Sequence, residues 1–284
     1  MQDVLNSPAV NPITRGRIWF DALVGPSLKP GSSSPVPPVL SAGAELNGVA
    51  AQFIAVVPDP EQRFPRATDN VVGLEQGWLL AQAVRAVMDA DAGAAAKRPI
   101  IAVVDVKSQA YGRREELLGL HLACAAAVDA YASARLAGHP VIALIVGPAM
   151  SGAFLAHGYQ ANRILALDAP GTMVHAMGRE AAARVTRRSV EALDALGETI
   201  IPMAYSMHAF EQLGLLSELI YGIDADAPSS AQIETVRRAL STAVTDARAG
   251  PNDLSGRLSS PAAQKNRAAS IEVRRRLAQQ WQAD

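Results

Sequence analysis

The run VIALIVGPAMSGAFLAHG, residues 141–158, carries no formal charge and passes from β-branched residues into small ones at Gly147. A hydrophobic strand that gives way to glycine and serine and then to a helix leaves the first main-chain N–H groups of that helix without partners. Donors fixed in this way can hold a carbonyl oxygen as it gains negative charge, with no attacking side chain. Gly147, Ser151, Gly152 and Ala153 are therefore candidate catalytic positions through their backbone. A second turn has the same layout: PIIAVVD (99–105) ends in Asp105, and SQAYGRREELLG (108–119) leads into a helix. Gln109, Ala110, Tyr111, Gly112 and Arg113 are the candidate substrate-binding residues there. Both segments also read as ordinary strand-to-helix loops.

A second chemistry can be written for the same serine. AMSGA resembles the small-residue elbow that presents a nucleophile in many hydrolases, and His175 with Asp194 or Asp224 would complete a Ser-His-Asp arrangement. Against this, the flanking glycines of G-x-S-x-G are absent, and Ser151 equally suits a helix cap. The five histidines include no i,i+4 pair beside an acidic ligand, so a zinc or iron site has no support. Neither a dinucleotide fingerprint nor a phosphate-binding P-loop occurs. Cys124, the single cysteine, excludes internal disulfides and thiolate zinc clusters and reads as a buried, inert thiol in a protein of the reducing cytoplasm. A net charge of -1 offers no field for nucleic acid. Arg113 and Arg114 suit either a phosphate or carboxylate contact or simple exposure to solvent.

These residues need a scaffold, and 284 residues suffice to bury about three quarters of the unfolded surface. Apolar runs at 50–57, 100–104, 141–146 and 164–167 predict buried strands. Between them, Leu80, Val84, Val87 and Met88 share one helical face, and a second helix from near Arg114 aligns Leu117, Leu120, Cys124, Val128 and Tyr131 up to a stop at Gly138. Alternation of strands and helices predicts a layered α/β core. KPGSSSPVPPV (29–39) reads as a linker, giving an N-terminal segment over 1–40, a core over 41–228 and C-terminal helices over 229–284. Ser229 and Gln232 have capping-box spacing, and Ser260-Pro261 opens a last charged helix toward Trp281. The C-terminal helices read as a solvated cover or a docking element. The uncharged stretch 141–162 is long enough for a membrane span, but Gly147-Pro148 and the polar residues after it argue for strand, turn and short helix instead. No signal peptide is expected at the N-terminus.

The span 99–158 resembles the carboxyltransferase alpha subunit of acetyl-CoA carboxylase at Asp105, Ala110-Tyr111, Glu115-Glu116, Pro140-Val141-Ile142 and Ser151-Gly152. It departs from that pattern where Gln109 replaces a glycine and where Ala153 replaces the second glycine after Ser151. These departures, with RGRIWFDAL near the start and APGTMVHAMGREAAARVTRRSVEALDALGETIIP, look like the gamma subunit of biotin-independent malonate decarboxylase, a likeness covering nearly the whole chain. The resemblance implies an α/β crotonase-like fold of repeated ββα units. It also implies a homologous beta subunit, an acyl carrier protein whose CoA-like prosthetic group carries the malonyl thioester, and a carrier-transferase alpha subunit. The chain itself would bind no cofactor directly. The expected reaction is decarboxylation, its enolate steadied by backbone donors at the two turns. Ser151 directly precedes Gly152, out of register with the nucleophile of the related Clp peptidases. Three alternatives stay open: a biotin-dependent carboxyltransferase subunit, a Clp-like hydrolase using Ser151 and His175, and a catalytically silent scaffold.

Overall fold

The β-branched runs become the centre of a sheet. In the computed structural model, which describes residues 13–25 and 37–282, helix α1 (Arg15–Val24) precedes a hairpin of β1 (Val39–Leu46) and β2 (Val49–Val56). Asn47 and Gly48 turn that hairpin with φ of 49° and 82°, the left-handed pair that a two-residue turn matching strand twist requires. The chain then alternates through α2 (Leu74–Ala90), β3 (Ile100–Val106), α3 (Arg113–Leu117), α4 (Leu120–Leu136), β4 (Val141–Met150), α5 (Ser151–Ala156), β5 (Arg163–Leu167) and β6 (Met173–His175). It continues with α6 (Arg179–Thr186), α7 (Val190–Thr199), α8 (Met207–Gln212), β7 (Glu218–Ile220), α9 (Ser230–Ala249), α10 (Pro261–Asn266) and α11 (Ala268–Trp281).

The strands lie in the order β1-β2-β3-β4-β5-β7, antiparallel between β1 and β2 and parallel beyond. Strand β6 pairs in parallel with the last three residues of β4, setting Met150 opposite His175. Side chains alternate between two cores, as the period-2 geometry of a strand demands. Along β3, Ile100, Ala102 and Val104 face α2 and α4, whereas Ile101 and Val103 face α1 and α9. All seven residues of β3 are buried, the mark of a parallel strand covered on both faces.

The structure redraws several boundaries. The proline- and serine-rich run falls mostly outside the described residues, and strand β1 already begins at Val39, inside the expected linker. The segment before it is no appendage: Trp19, Phe20 and Leu23 of α1 are fully buried against the sheet. Likewise α9 belongs to the core through Val236, Leu240 and Val244, although its expected capping box at Ser229 and Gln232 is present. By contrast α11 buries no residue, and the expected last helix is two, broken at Arg267. The helix expected from Arg114 is also two, because Gly119 adopts φ 88° between α3 and α4. Its buried face is formed by Ala123, Ala127, Ala130 and Ala134 with Tyr131, while Leu117 is 78% exposed. Residues 141–162 divide into β4, α5 and a turn, and among the described residues no helix is long and apolar enough to cross a membrane.

Candidate active site

Both predicted turns lie at the C-terminal ends of neighbouring strands, because β3 and β4 pair in parallel; β4 passes directly into α5, and β3 reaches α3 through the loop 107–112. At the first, Met150 is still extended and Ser151 swings to φ 61°, a left-handed conformation uncommon for a residue with a side chain. That conformation reverses the chain from β4 into α5. It resembles the nucleophile elbow that AMSGA suggested, formed here without the flanking glycines of G-x-S-x-G. No side chain caps α5, so the expectation that the Ser151 hydroxyl caps its helix is not met: Met150 occupies the cap position.

Gly147 serves packing. A Cβ there would collide with the carboxylate of Asp105, which is buried beside it. Asp105 accepts from the Gly16 N–H at 2.9 Å and from Asn70 Nδ2 at 3.0 Å, and so anchors α1 to the end of β3. Desolvation raises its pKa above the usual carboxylate value, against the pull of these donors and of Arg15 and Lys107.

The expected set of open main-chain donors is corrected by the hydrogen bonds. The Gly152 N–H donates to Gln109 Oε1 at 2.9 Å. The Ala110 N–H donates to the Val72 carbonyl at 2.9 Å and the Tyr111 N–H to the Gln109 carbonyl at 3.0 Å. Gly152, Ala110 and Tyr111 are thus not free to receive an oxyanion as the chain stands. Only the Ala110 bond comes from outside the turns, from Val72, 37 residues upstream of Gln109 and bridged to it in parallel, whereas Gln109 itself takes the other two amides. Gly112 begins α3 as its N-cap, where a Cβ would press on Arg66 and Glu115 at 2.6 Å. Tyr111 is 55% exposed, Arg113 is exposed, and Arg114 lies over the Phe64 ring at 5.5 Å.

Ser151 and Gly152 open onto a cleft of about 470 Å³ whose other walls are Phe154, His175, Met203 and Phe210. Its lining is largely apolar, the surroundings in which a hydrogen bond to developing charge gains most. The cleft's far wall, Pro202, Met203, Ala204 and Phe210, belongs to a segment with no chemical role among the sequence expectations. The His175 ring stacks on Tyr205 at 4.0 Å, and its Nδ1 meets the main chain of Met177. Desolvation lowers the His175 pKa, aided by Arg179 and opposed by the bond to Met177. Neither expected acid orients it. Asp194 pairs with Arg179 at 3.0 Å, and Asp224 accepts the N–H groups of Asp226 and Ala227 at 3.0 Å. The serine and histidine share a cleft, but the triad lacks its third member. Among the described residues no three metal-ligating side chains cluster. Cys124 is half-buried, its thiol pushed up to about 11 by desolvation and by Glu116.

The model of the malonate decarboxylase gamma subunit, MdcE, matches residues 67–281. The chain belongs to this family. Chains of a Pseudomonas malonate decarboxylase hetero-tetramer in complex with coenzyme A and of a Pseudomonas MdcD-MdcE hetero-dimer are 54% and 51% identical to it. Each match covers 94% of this chain and 100% of the other, with TM-scores of 0.88 and 0.84. The Malonomonas rubra protein named malonyl-S-ACP:biotin-protein carboxyltransferase MADD is 36% identical over 193 residues, 67% of this chain and 66% of that protein. A transcarboxylase 12S chain, 20% identical with a TM-score of 0.56, shares the fold. The carboxyltransferase-like, crotonase-type architecture expected from the sequence is therefore the one present.

Proposed function

We propose that this malonate decarboxylase gamma subunit works with a homologous beta subunit to remove carbon dioxide from a malonyl thioester on an acyl carrier protein. The products are the acetyl thioester and carbon dioxide, and a carrier-transferase alpha subunit supplies the carrier. The observation that carries this reading is the 54% identity, over 94% of the chain, to a chain of a malonate decarboxylase assembly in complex with coenzyme A. The cytoplasm suits such an assembly.

The chemistry asks little of side-chain nucleophiles. The bond between the malonyl carboxylate and C2 breaks, carbon dioxide leaves, and the electron pair forms an enolate with most of its charge on the thioester oxygen. Donors aimed at that oxygen are worth more in the transition state than in the ground state and so accelerate the step. The apolar cleft beside Ser151 and Gly152 supplies the setting, and Ala153, buried in the uncapped first turn of α5, adds its amide to that end of the site. To Arg113, exposed at the start of α3, this reading assigns the contact with the carrier's prosthetic phosphate. A proton must then reach C2. Of the two candidate sources in this chain, His175 lines the cleft and Tyr111 does not.

The name of the M. rubra relative supports a second reading, in which the carboxyl group passes to a biotinyl protein instead of leaving as carbon dioxide. One assay separates the readings. The chain is co-purified with its homologous subunit and given labelled malonyl-carrier. Release of carbon dioxide without biotin, with Ser151→Ala keeping most of the turnover and a fluorophosphonate probe leaving the chain unlabelled, is expected. Dependence on a biotinylated acceptor selects carboxyl transfer. Probe labelling together with complete loss in Ser151→Ala selects a serine hydrolase.

A further inference from the structure

The bond between Gly152 and Gln109 sits where an open amide was expected, and it has a second end. Gln109 is held rigidly. The Val72 N–H donates to the Ser108 carbonyl at 3.0 Å and the Ala110 N–H to the Val72 carbonyl at 2.9 Å, so the backbone on both sides of Gln109 is pinned. Its carboxamide then spans to the other turn, 43 residues along the chain. Because the Gly152 nitrogen is a donor, the end of the carboxamide facing it must be the oxygen. That leaves Nε2, with two hydrogens and no partner among the described residues, beside a glycine that lines the cleft. The fit at Gly152 is close: a Cβ there would lie 3.1 Å from Oε1 and 3.7 Å from Nε2.

We infer that the Gln109 side chain, rather than the Gly152 main-chain amide, presents the donor that this pair of turns offers to the enolate oxygen. This rests on the decarboxylase reading. The Gly152 N–H polarises the carboxamide through Oε1, and the polarised group is a better donor at Nε2, as in any chain of hydrogen-bonded amides. The donor is neutral, so it neither titrates in the working range nor holds the substrate carboxylate as an ion pair. The glycine-to-glutamine departure at 109 thereby moves the donor from the backbone to a side chain that reaches out from it.

The test measures carbon dioxide release from malonyl-carrier by the complete complex. Gln109→Ala is expected to lower kcat about a hundredfold, the loss typical of one oxyanion donor, with KM changed only a few-fold. Gln109→Glu keeps an oxygen for the Gly152 N–H and so preserves the contact, but it turns a carboxylate toward developing negative charge. Its loss at neutral pH is expected to exceed that of alanine. Its rate relative to wild type should then recover as pH falls from about 8 to about 5.5 and the carboxyl group begins to take up a proton that it can donate. A purely structural tie gives no such recovery. Wild-type turnover or better in Gln109→Ala overturns the inference, since the uncovered Gly152 amide is then the donor. Full activity of Gln109→Glu at neutral pH overturns it as well. A wild-type complex that releases no carbon dioxide overturns the decarboxylase reading itself, and this inference with it.

Discussion

His157 shows how a single buried group ties the fold to pH. It is fully buried, with Nε2 3.0 Å from the Val103 carbonyl and Nδ1 3.0 Å from the Tyr131 hydroxyl. The carbonyl accepts only, so Nε2 carries the hydrogen and Nδ1 accepts from the tyrosine. Desolvation lowers the His157 pKa to about 4, and the bond to Val103 only partly opposes it. The unfolded chain, with an ordinary histidine pKa of about 6.5, binds this proton more readily than the folded one. The resulting stability is complete above about pH 6.5 and is lost as pH falls toward 4, a total of about 3 kcal/mol. Melting temperatures from pH 7.5 to pH 4.5 should fall accordingly. In His157→Gln, which lacks the titrating ring, the fall should be shallower from a lower starting point. Parallel slopes for the two proteins would show that other groups govern the acid transition.

At the scale of elements, the contact that places the Gln109 loop is the crossing of α2 on α4. Gly77 makes it possible: a Cβ there would lie 2.6 Å from the main-chain carbon and oxygen of Ala123. Ala123 in turn packs in one small cluster with Leu74, Leu120 and Ala110, so this crossing sets the position of the second turn. Alanine at 77 would gain about 1 kcal/mol in helix propensity but must push the helices apart, at a cost of about 3 kcal/mol. A net loss near 2 kcal/mol of stability, read as a lower urea midpoint, is expected, with reduced turnover because Ala110 moves with Ala123. An unchanged midpoint would mean the crossing yields easily.

The same elements show what was legible in the sequence. Strands β2 to β5 were, because burial on both faces writes a continuous apolar run, and so was the start of α9, where the capping box leaves a local signal. Strand β1 was not, since it alternates small and polar residues after a proline-rich run, and β6 and β7 are three residues each. The α4 face was legible only in part: Leu120 and Tyr131 are buried as expected, but most of the stripe is alanine, which allows close approach and is invisible to a search for large apolar residues. The two strand-to-helix turns were legible as turns. Whether their amides were open depended on Val72 and Gln109 reaching across the fold, and no local pattern encodes that.

Taken alone, the whole molecule supplies only part of the site proposed for decarboxylation. Three of the expected main-chain donors are bonded internally, and His175 has no acid behind it. The chain also leaves large apolar side chains in water, including Leu117, Leu118 and Leu122 on α3 and α4 and Val273, Leu277 and Trp281 along α11. A subunit of this kind should gain stability on assembly, because anything that binds the folded state alone stabilises it by mass action. With the proposed beta subunit at about a hundred times its dissociation constant the gain is about 2.7 kcal/mol. For a chain of this size that raises the melting temperature by about 5–10 °C. The isolated chain should show no carbon dioxide release above background, and the mixture should show release and the higher melting temperature together, both rising with partner concentration. Turnover by the purified chain alone, or a melting temperature indifferent to the partner, would mean that the site is complete within one subunit.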